Sequence, residues 1–456
     1  MMCAEINNAE QKVLRRGKSK LVMLLYAAAV LAALPALAAL TACAASGNAD
    51  DKQEPPPQQT APPPSDPTPD VIIERAGIEG TYLDIAQRGV YDMLSNYWDP
   101  AERAILTTWN GYPADWPDPD IVDPRGAVWP RAMFMMPALA LAQLTGDSEL
   151  FSIVETEWET IKSIFSRREL SLPIPIINTC VDDCGWNAFA YMRFYEAFGD
   201  EAALEISAEL MERVFDKWYD EEWGGPSLWY RDARDFKSLY QVGVLLTCFD
   251  LYEATGDEGW WMLAKTCYDT LESILLRDDD IYFSDYNASG PMGKERPNDI
   301  REAGSVSFLG GNMAMAVLHA RLFRITGDDV YLDRALRTVR GIRNVLTVDG
   351  GVLLNERDAW ATGTFTPQYA AEVLTLPGIS ENDKTVLYNT AASIAANART
   401  DDGFYGGSWS GPADGPGSAW YRIGSKPQQI MTSGNSVLVL VGAAVLENAE
   451  KGGGTK

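Results

Sequence analysis

Phe249-Asp250-Leu251-Tyr252-Glu253-Ala254-Thr255-Gly256-Asp257-Glu258-Gly259-Trp260-Trp261 reads as a helix, a sharp corner and a second helix. Glycine ends the first helix in a left-handed turn, and aspartate caps the helix that follows. Apolar residues lie on both sides of the corner: Phe249, Tyr252 and Ala254 before it, then Trp260, Trp261, Leu263, Ala264, Tyr268 and Leu271 after it, at mixed helical spacings. The same phrase recurs as Leu144-Thr145-Gly146-Asp147, Ala197-Phe198-Gly199-Asp200 and Ile325-Thr326-Gly327-Asp328. Each copy is the corner of an αα-hairpin. Repeats roughly 50 to 70 residues apart signal a solenoid or a ring of hairpins.

Further helices are expected from about Tyr82 to Trp98, from Tyr369 to Leu376 with Thr385 to Asn397, and from Ser433 to Ala449, bringing the number near twelve. Six hairpins would close on themselves. The fold class is therefore all-α, a closed barrel of about six helical hairpins over 71–449, with strand signals confined to the loops. That region of about 380 residues is long for one ordinary domain and normal for a closed helical barrel.

The first seventy residues lie outside this fold. Lys12, Arg15, Arg16, Lys18 and Lys20 precede an apolar run from Leu21 to Ala42, which reads as a secretory signal. A run of this length could also span a bilayer uncut. Its ending, Leu40-Thr41-Ala42-Cys43, resembles a bacterial lipobox and favours a lipoprotein signal over 1–42 with Cys43 as the lipidated residue. Residues 43–70 form a proline-rich, extended linker, and 450–456 a disordered tail. The expectation is an exported bacterial protein, lipid-anchored at the membrane or cell surface, touching the bilayer only through that lipid, and monomeric.

A second stretch carries the chemistry: Thr179-Cys180-Val181-Asp182-Asp183-Cys184-Gly185-Trp186-Asn187-Ala188-Phe189-Ala190. Adjacent carboxylates push one pKa up and are tolerated where water covers both or where split acidities are useful. Acidic residues in a first helical turn also commonly cap the helix. Glycosidic cleavage needs one protonated and one ionised carboxyl, and the intervening loops support that chemistry. Trp229 and Tyr230 lie in one Gly- and Trp-rich loop and Trp409 in another, Gly406 to Pro412. With Trp186 they are candidate sugar-stacking residues; the bland alternative is that such aromatics fill gaps where helices splay at a barrel mouth.

Composition narrows the classes. The single histidine, His319, sits in an apolar helical run and reads as structural, so neither a His-dependent nucleophile system nor a usual zinc site is expected. No cofactor or metal is expected. A net charge of −26 repels nucleic acid. Of six cysteines, Cys180 and Cys184 bracket the aspartates, and Cys248 and Cys267 lie on the two helices of one hairpin; the spacing does not settle their pairing.

Taken together, the aspartate pair, the hairpin corners and the Gly407-Ser408-Trp409-Ser410-Gly411-Pro412 loop resemble glycoside hydrolase family 76, the α-1,6-mannanases, from about Gly80 to Ala449. The most specific part is Asp182-Asp183-x-x-Trp186 running into Tyr195-Glu196-Ala197-Phe198-Gly199-Asp200; Gly363-Thr364-Phe365 is a weaker match. The resemblance implies an (α/α)6 barrel, endo-acting retaining hydrolysis of α-1,6-linked mannan, no metal, Asp182 as nucleophile and Asp183 as acid/base. Spacing alone assigns neither role: consecutive helical residues point about 100° apart. The chain departs from the family where asparagine-rich stretches are expected near substrate; here those places read Phe236 to Gln241 and Phe308 to Asn312. Other readings are a different (α/α)6 carbohydrate enzyme, a transglycosylase or an unsaturated glucuronyl hydrolase, and a non-catalytic surface glycan-binding lipoprotein. The acidic balance disfavours a uronide substrate, and the intact aspartate pair disfavours loss of turnover.

Overall fold

The computed structural model describes residues 72–101, 103–105, 128–166, 181–220, 225–226, 237–287, 290–291, 308–348, 350–355, 362–413, 422–423, 426–427 and 430–452. Residues 1–71, where a signal, a linker and lipidated Cys43 are expected, lie outside the described residues, as do Cys180, the loop with Trp229 and Tyr230, and 453–456.

Twelve helices run through the described residues: α1 (Tyr82–Tyr97), α2 (Val128–Thr145), α3 (Ser148–Ser166), α4 (Val181–Phe198), α5 (Glu201–Trp218) and α6 (Val242–Thr255) come first. They are followed by α7 (Glu258–Leu275), α8 (Leu309–Thr326), α9 (Asp329–Val345), α10 (Thr366–Gln368, continued by a π-helical turn at Tyr369–Val373), α11 (Glu381–Asn397) and α12 (Ile430–Glu450). Strands are two or three residues long and sit in the connections.

The expected corners form as read. Gly146, Gly199, Gly256 and Gly327 are all left-handed, with φ of 73°, 67°, 68° and 70°. The N–H of Gly256 returns to Tyr252 O at 2.8 Å and that of Gly327 to Phe323 O at 2.8 Å. Asp257 Oδ1 accepts from Gly259 N at 2.9 Å, and Asp328 Oδ1 from Val330 N at 3.0 Å. The preceding threonine adds a clasp: Thr255 Oγ1 donates to Leu251 O and accepts from Asp257 N. Carbonyls and amides that each helix end leaves over are thus satisfied within four residues of sequence.

Packing orders the helices into two rings. Within the inner one α2 packs on α4, α4 on α6, α6 on α8, α8 on α10, α10 on α12, and α12 back on α2. Outer helices back them: α3 on α2, α5 on α4, α7 on α6, α9 on α8, α11 on α12, with α1 also against α12. The sixth pair therefore joins the first helix to the last and closes the barrel. Position explains composition. In α8 every residue from Leu309 to Leu322 is buried, because an inner helix meets neighbours on all sides. Outer α9 buries only a stripe including Ala335, Val339 and Ile342.

Several boundaries differ from expectation; α12, for one, starts at Ile430, three residues before Ser433. Helix α11 starts at Glu381, four residues before Thr385, because Ser380 and Asp383 form a capping box. At the far end α12 reaches Glu450, whose carboxylate accepts from Tyr388 Oη at 2.8 Å and pairs with Lys384 at 3.1 Å. The segment before α1 is fastened to α11 as well: Ile73 N donates to Asn382 Oδ1, Ala76 N to Asn389 Oδ1, and the Arg75 guanidinium lies 3.6 Å from the Tyr388 ring centre.

Buried charges tie four inner helices together near their C-terminal ends. Arg321 of α8 pairs with Asp250 of α6 and, at 2.8 Å, with Glu372 of α10; Arg193 of α4 reaches the other Asp250 oxygen at 2.6 Å. Burial would raise the Glu372 carboxyl, yet the Arg321 guanidinium holds it below the usual carboxylate range.

Candidate active site

Inner and outer helices alternate in direction, so all inner helices start at one end of the barrel. Four two-residue corners and the segment 374–380 between α10 and α11 close the other end. Long connections lie where the inner helices begin, and Asp182 and Asp183 stand there, in the first turn of α4.

The side of α4 they occupy is fixed by what lies below them. Trp186 stacks on Phe308, at the start of α8, with ring centres 6.3 Å apart and planes 12° from parallel. Phe189 meets Phe365, at the start of α10, at 5.2 Å. Neither α8 nor α10 is a ring neighbour of α4, so these contacts cross the barrel axis. Asp182 is one turn before Trp186, and Asp183 is three residues before it; both share that axial side. Two half-buried carboxylates thus stand over an aromatic floor at the end of the barrel where the inner helices begin.

Helix α4 begins at Val181, which puts the aspartates inside the helix rather than at the capping position; the positive end of α4 still favours their charge. Asn187 Nδ2 donates to the backbone O of Asp183 at 2.7 Å, bracing the turn.

Glycines set how closely the neighbouring elements approach. A Cβ on Gly185 would lie 2.5 Å from Val244 N, and one on Gly243 would lie 2.5 Å from Trp186 Cδ1. Helices α4 and α6 therefore touch backbone to backbone one turn below the carboxylates. Gly310 does the same for α8 against Thr362, Gly363 against Asn435, and Gly434 against Met133 of α2, while Gly311 makes room for the Leu239 side chain. These residues escaped the reading of the sequence, although lone glycines inside apolar helical runs are the signal for such contacts.

Two of the candidate stacking residues are corrected. Trp186 is 2 % exposed, its surface covered by Phe308 and the α6 backbone, so it is floor rather than platform. Trp409 is 1 % exposed; its Nε1 donates to Ser436 Oγ at 3.1 Å, and that hydroxyl donates to Gly406 O at 3.0 Å. Its indole fastens the loop to α12 and offers no face to a sugar. Trp229 and Tyr230 lie outside the described residues. Where substrate-facing asparagines were expected, Leu239, Phe308 and Leu309 are buried, and Asn312 is spent on structure, accepting from Tyr282 N at 2.8 Å.

His319 is structural, as read. A carboxylate only accepts, so Tyr282 Oη donates to Glu272 Oε2 and accepts from Arg334 Nη2 at 2.8 Å. It also accepts a hydrogen bond from His319 Nε2–H at 3.0 Å, leaving Nδ1 to accept from Tyr268 Oη at 3.0 Å. Burial, reinforced by the Arg334 charge, holds the imidazole well below its usual pKa. Cys184, Cys248 and Cys267 are buried thiols.

The model of glycosyl hydrolase family 76 matches residues 85–432, from α1 to the first turn of α12. The chain belongs to that family. No curated protein matches it in sequence. Among solved structures it is similar to the family 76 α-1,6-mannanase of Salegentibacter sp. HEL1_6, at 18% identity and a TM-score of 0.62, covering 80% of this chain and 99% of that one. That enzyme has also been solved as an inactive variant, with two consecutive aspartates replaced by asparagine, in complex with α-1,6-mannotriose. A family 76 mannosidase of Bacteroides thetaiotaomicron is similar at 15% identity and a TM-score of 0.59, covering 81% and 99%. An unsaturated glucuronyl hydrolase specific for heparin is similar at 12% identity and a TM-score of 0.55, covering 81% and 98%. At such identities the likenesses show the (α/α)6 fold; the family match carries the class, a glycoside hydrolase.

Proposed function

We propose that this family 76 protein is a retaining α-1,6-mannanase in which Asp182 and Asp183 act together. The observation that carries the proposal is the adjacent carboxylates on the axial side of α4, over an aromatic floor at the end of the barrel where the inner helices begin. Support comes from the Salegentibacter enzyme, where changing two consecutive aspartates gives an inactive protein that holds α-1,6-mannotriose. In this reading Asp183 protonates the glycosidic oxygen while Asp182 attacks the anomeric carbon. The aglycone leaves with that proton. Ionised Asp183 then takes a proton from water, whose oxygen displaces Asp182 from the glycosyl ester with net retention.

The test is product analysis on linear α-1,6-mannan with the parent, Asp182→Asn and Asp183→Asn. Release of mannooligosaccharides by the parent, reduced at least about a hundredfold in each variant, supports the pair. Undiminished release by either variant would remove that residue from the chemistry. A parent that binds the polymer without cutting it would turn the reading to a glycan-binding protein.

On the same reading the apolar run ending at Cys43 exports the enzyme and tethers it by lipid, with residues 44–70 as spacer. Cys43→Ser should then leave the protein unlipidated by metabolic fatty-acid labelling; labelling that survives the change would refute the anchor.

A further inference from the structure

A concavity opens on the outer wall, remote from the aspartate pair. It is a groove of about 430 Å³ where α3 passes the end of α4, lined by Arg103, Ser152, Glu155, Glu159, Phe198 and Asp200. Phe198 ends α4 and Asp182 lies in its first turn, so the two sites are roughly 24 Å apart along that helix, at 1.5 Å per residue.

The groove has an aromatic bottom and a polar rim. Trp158, 1 % exposed, stacks on Phe194 at 4.9 Å, Phe194 stacks on half-buried Phe198 at 4.4 Å, and Phe151 meets Phe198 edge-on at 5.6 Å. Around that seam stand the exposed carboxylates of Glu155 and Glu159. Asp200 Oδ2 accepts from Trp158 Nε1 at 2.9 Å and from Lys162 Nζ at 3.0 Å.

Arg103 is held over the groove by an unusual backbone. Antiparallel strands β1 (Trp98–Asp99) and β2 (Ala104–Ile105) form a hairpin whose last turn residue, Arg103, is left-handed at φ 50°, one of two such non-glycine residues among those described. Its Nη2 donates to Thr156 Oγ1 at 2.9 Å, setting the remaining guanidinium donors at the rim. A strained non-glycine turn persists where its surroundings impose it, and such turns gather at ligand sites.

We propose that this groove is a second, non-catalytic binding site for a neutral oligosaccharide. Its volume is at the small end of ligand sites and suits one or two sugar rings. Exposed Glu155 and its rim neighbour Glu159, which Lys162 pairs at 2.6 Å, accept from sugar hydroxyls, the guanidinium donates to ring and hydroxyl oxygens, and the half-buried Phe198 ring meets the CH face. Three carboxylates against Arg103 and Lys162 disfavour an anion. A glycan held here lies away from the aspartate pair, so the groove keeps polymer at the enzyme while another segment is cut. The choice of mannan as probe rests on the proposed function.

The test compares the full chain with Arg103→Ala and Glu155→Ala, the latter an exposed position whose truncation leaves the packing intact. Each is run through native gels containing linear α-1,6-mannan, and kcat/KM is measured on mannan and on α-1,6-mannotriose. At least a threefold weaker retardation, with a matching fall in the ratio of mannan to mannotriose kcat/KM, is expected of both variants. Unchanged retardation, or a parallel fall on both substrates, would overturn the groove. Failure of the catalytic reading looks different: the parent would cut neither substrate yet still be retarded in a manner dependent on Arg103 and Glu155.

Discussion

Gly185 is where a single methyl group decides whether the aspartates keep their place. Its added Cβ would meet backbone, Val244 N at 2.5 Å, as well as Val244 Cγ2 at 2.8 Å, and backbone cannot swing aside as the end of a side chain can. Gly185→Ala should therefore push α4 from α6 just below Asp182. About 1–3 kcal/mol of stability should be lost, seen as a lower urea midpoint, with a fall in kcat/KM on mannotriose. His319 gives a prediction of a different kind. Its folded-state pKa is depressed by burial, so the unfolded chain binds a proton that the folded one refuses. The stabilisation is complete above the unfolded value near 6.5 and is lost as pH falls below it, at up to about 1.4 kcal/mol per pH unit. The drop in urea midpoint between pH 7.5 and pH 5.5 should be smaller in His319→Asn than in the parent.

At the scale of elements, the hairpin corners are autonomous and the long connections are not. Each corner satisfies its own hydrogen bonds within a few residues, so Thr-Gly-Asp is legible in the sequence and lands where it is read. Asp257→Ala removes one cap and should cost about 1 kcal/mol by thermal unfolding. Activity should be retained, because that corner lies at the end of the barrel opposite the aspartates. Trp186 and Trp409 show the limit of such reading. In sequence both look like sugar platforms beside glycines; in the fold one lies against Phe308 and the other is hydrogen-bonded to Ser436. Whether an indole is platform or floor depends on residues more than a hundred positions away for Trp186, and no local pattern records that. Periodicity likewise could not place the start of α11, where the Ser380–Asp383 capping box extends the helix beyond its apolar pattern.

On the scale of the molecule, the ring closes through contacts between its first and last elements and through a charge cluster shared by α4, α6, α8 and α10. Asp250 lies between Arg321 and Arg193 with its side chain 2 % exposed. Asp250→Asn would leave two guanidinium groups short of an anion, and removing one partner of a buried pair costs about 3–5 kcal/mol. A fall of that size in the urea unfolding free energy is expected; a loss under about 1 kcal/mol would mean that Glu372, on Arg321, and Glu196, 2.7 Å from Arg193, alone hold both arginines. The sequence by itself determined the helical hairpins, the glycine corners and the aspartate pair, because each depends on residues a few positions apart. Only the tertiary structure decided which side of α4 faces the barrel axis, which aromatics form the floor, and which glycines let helix backbones touch. Those outcomes are set by elements that meet only when the ring closes.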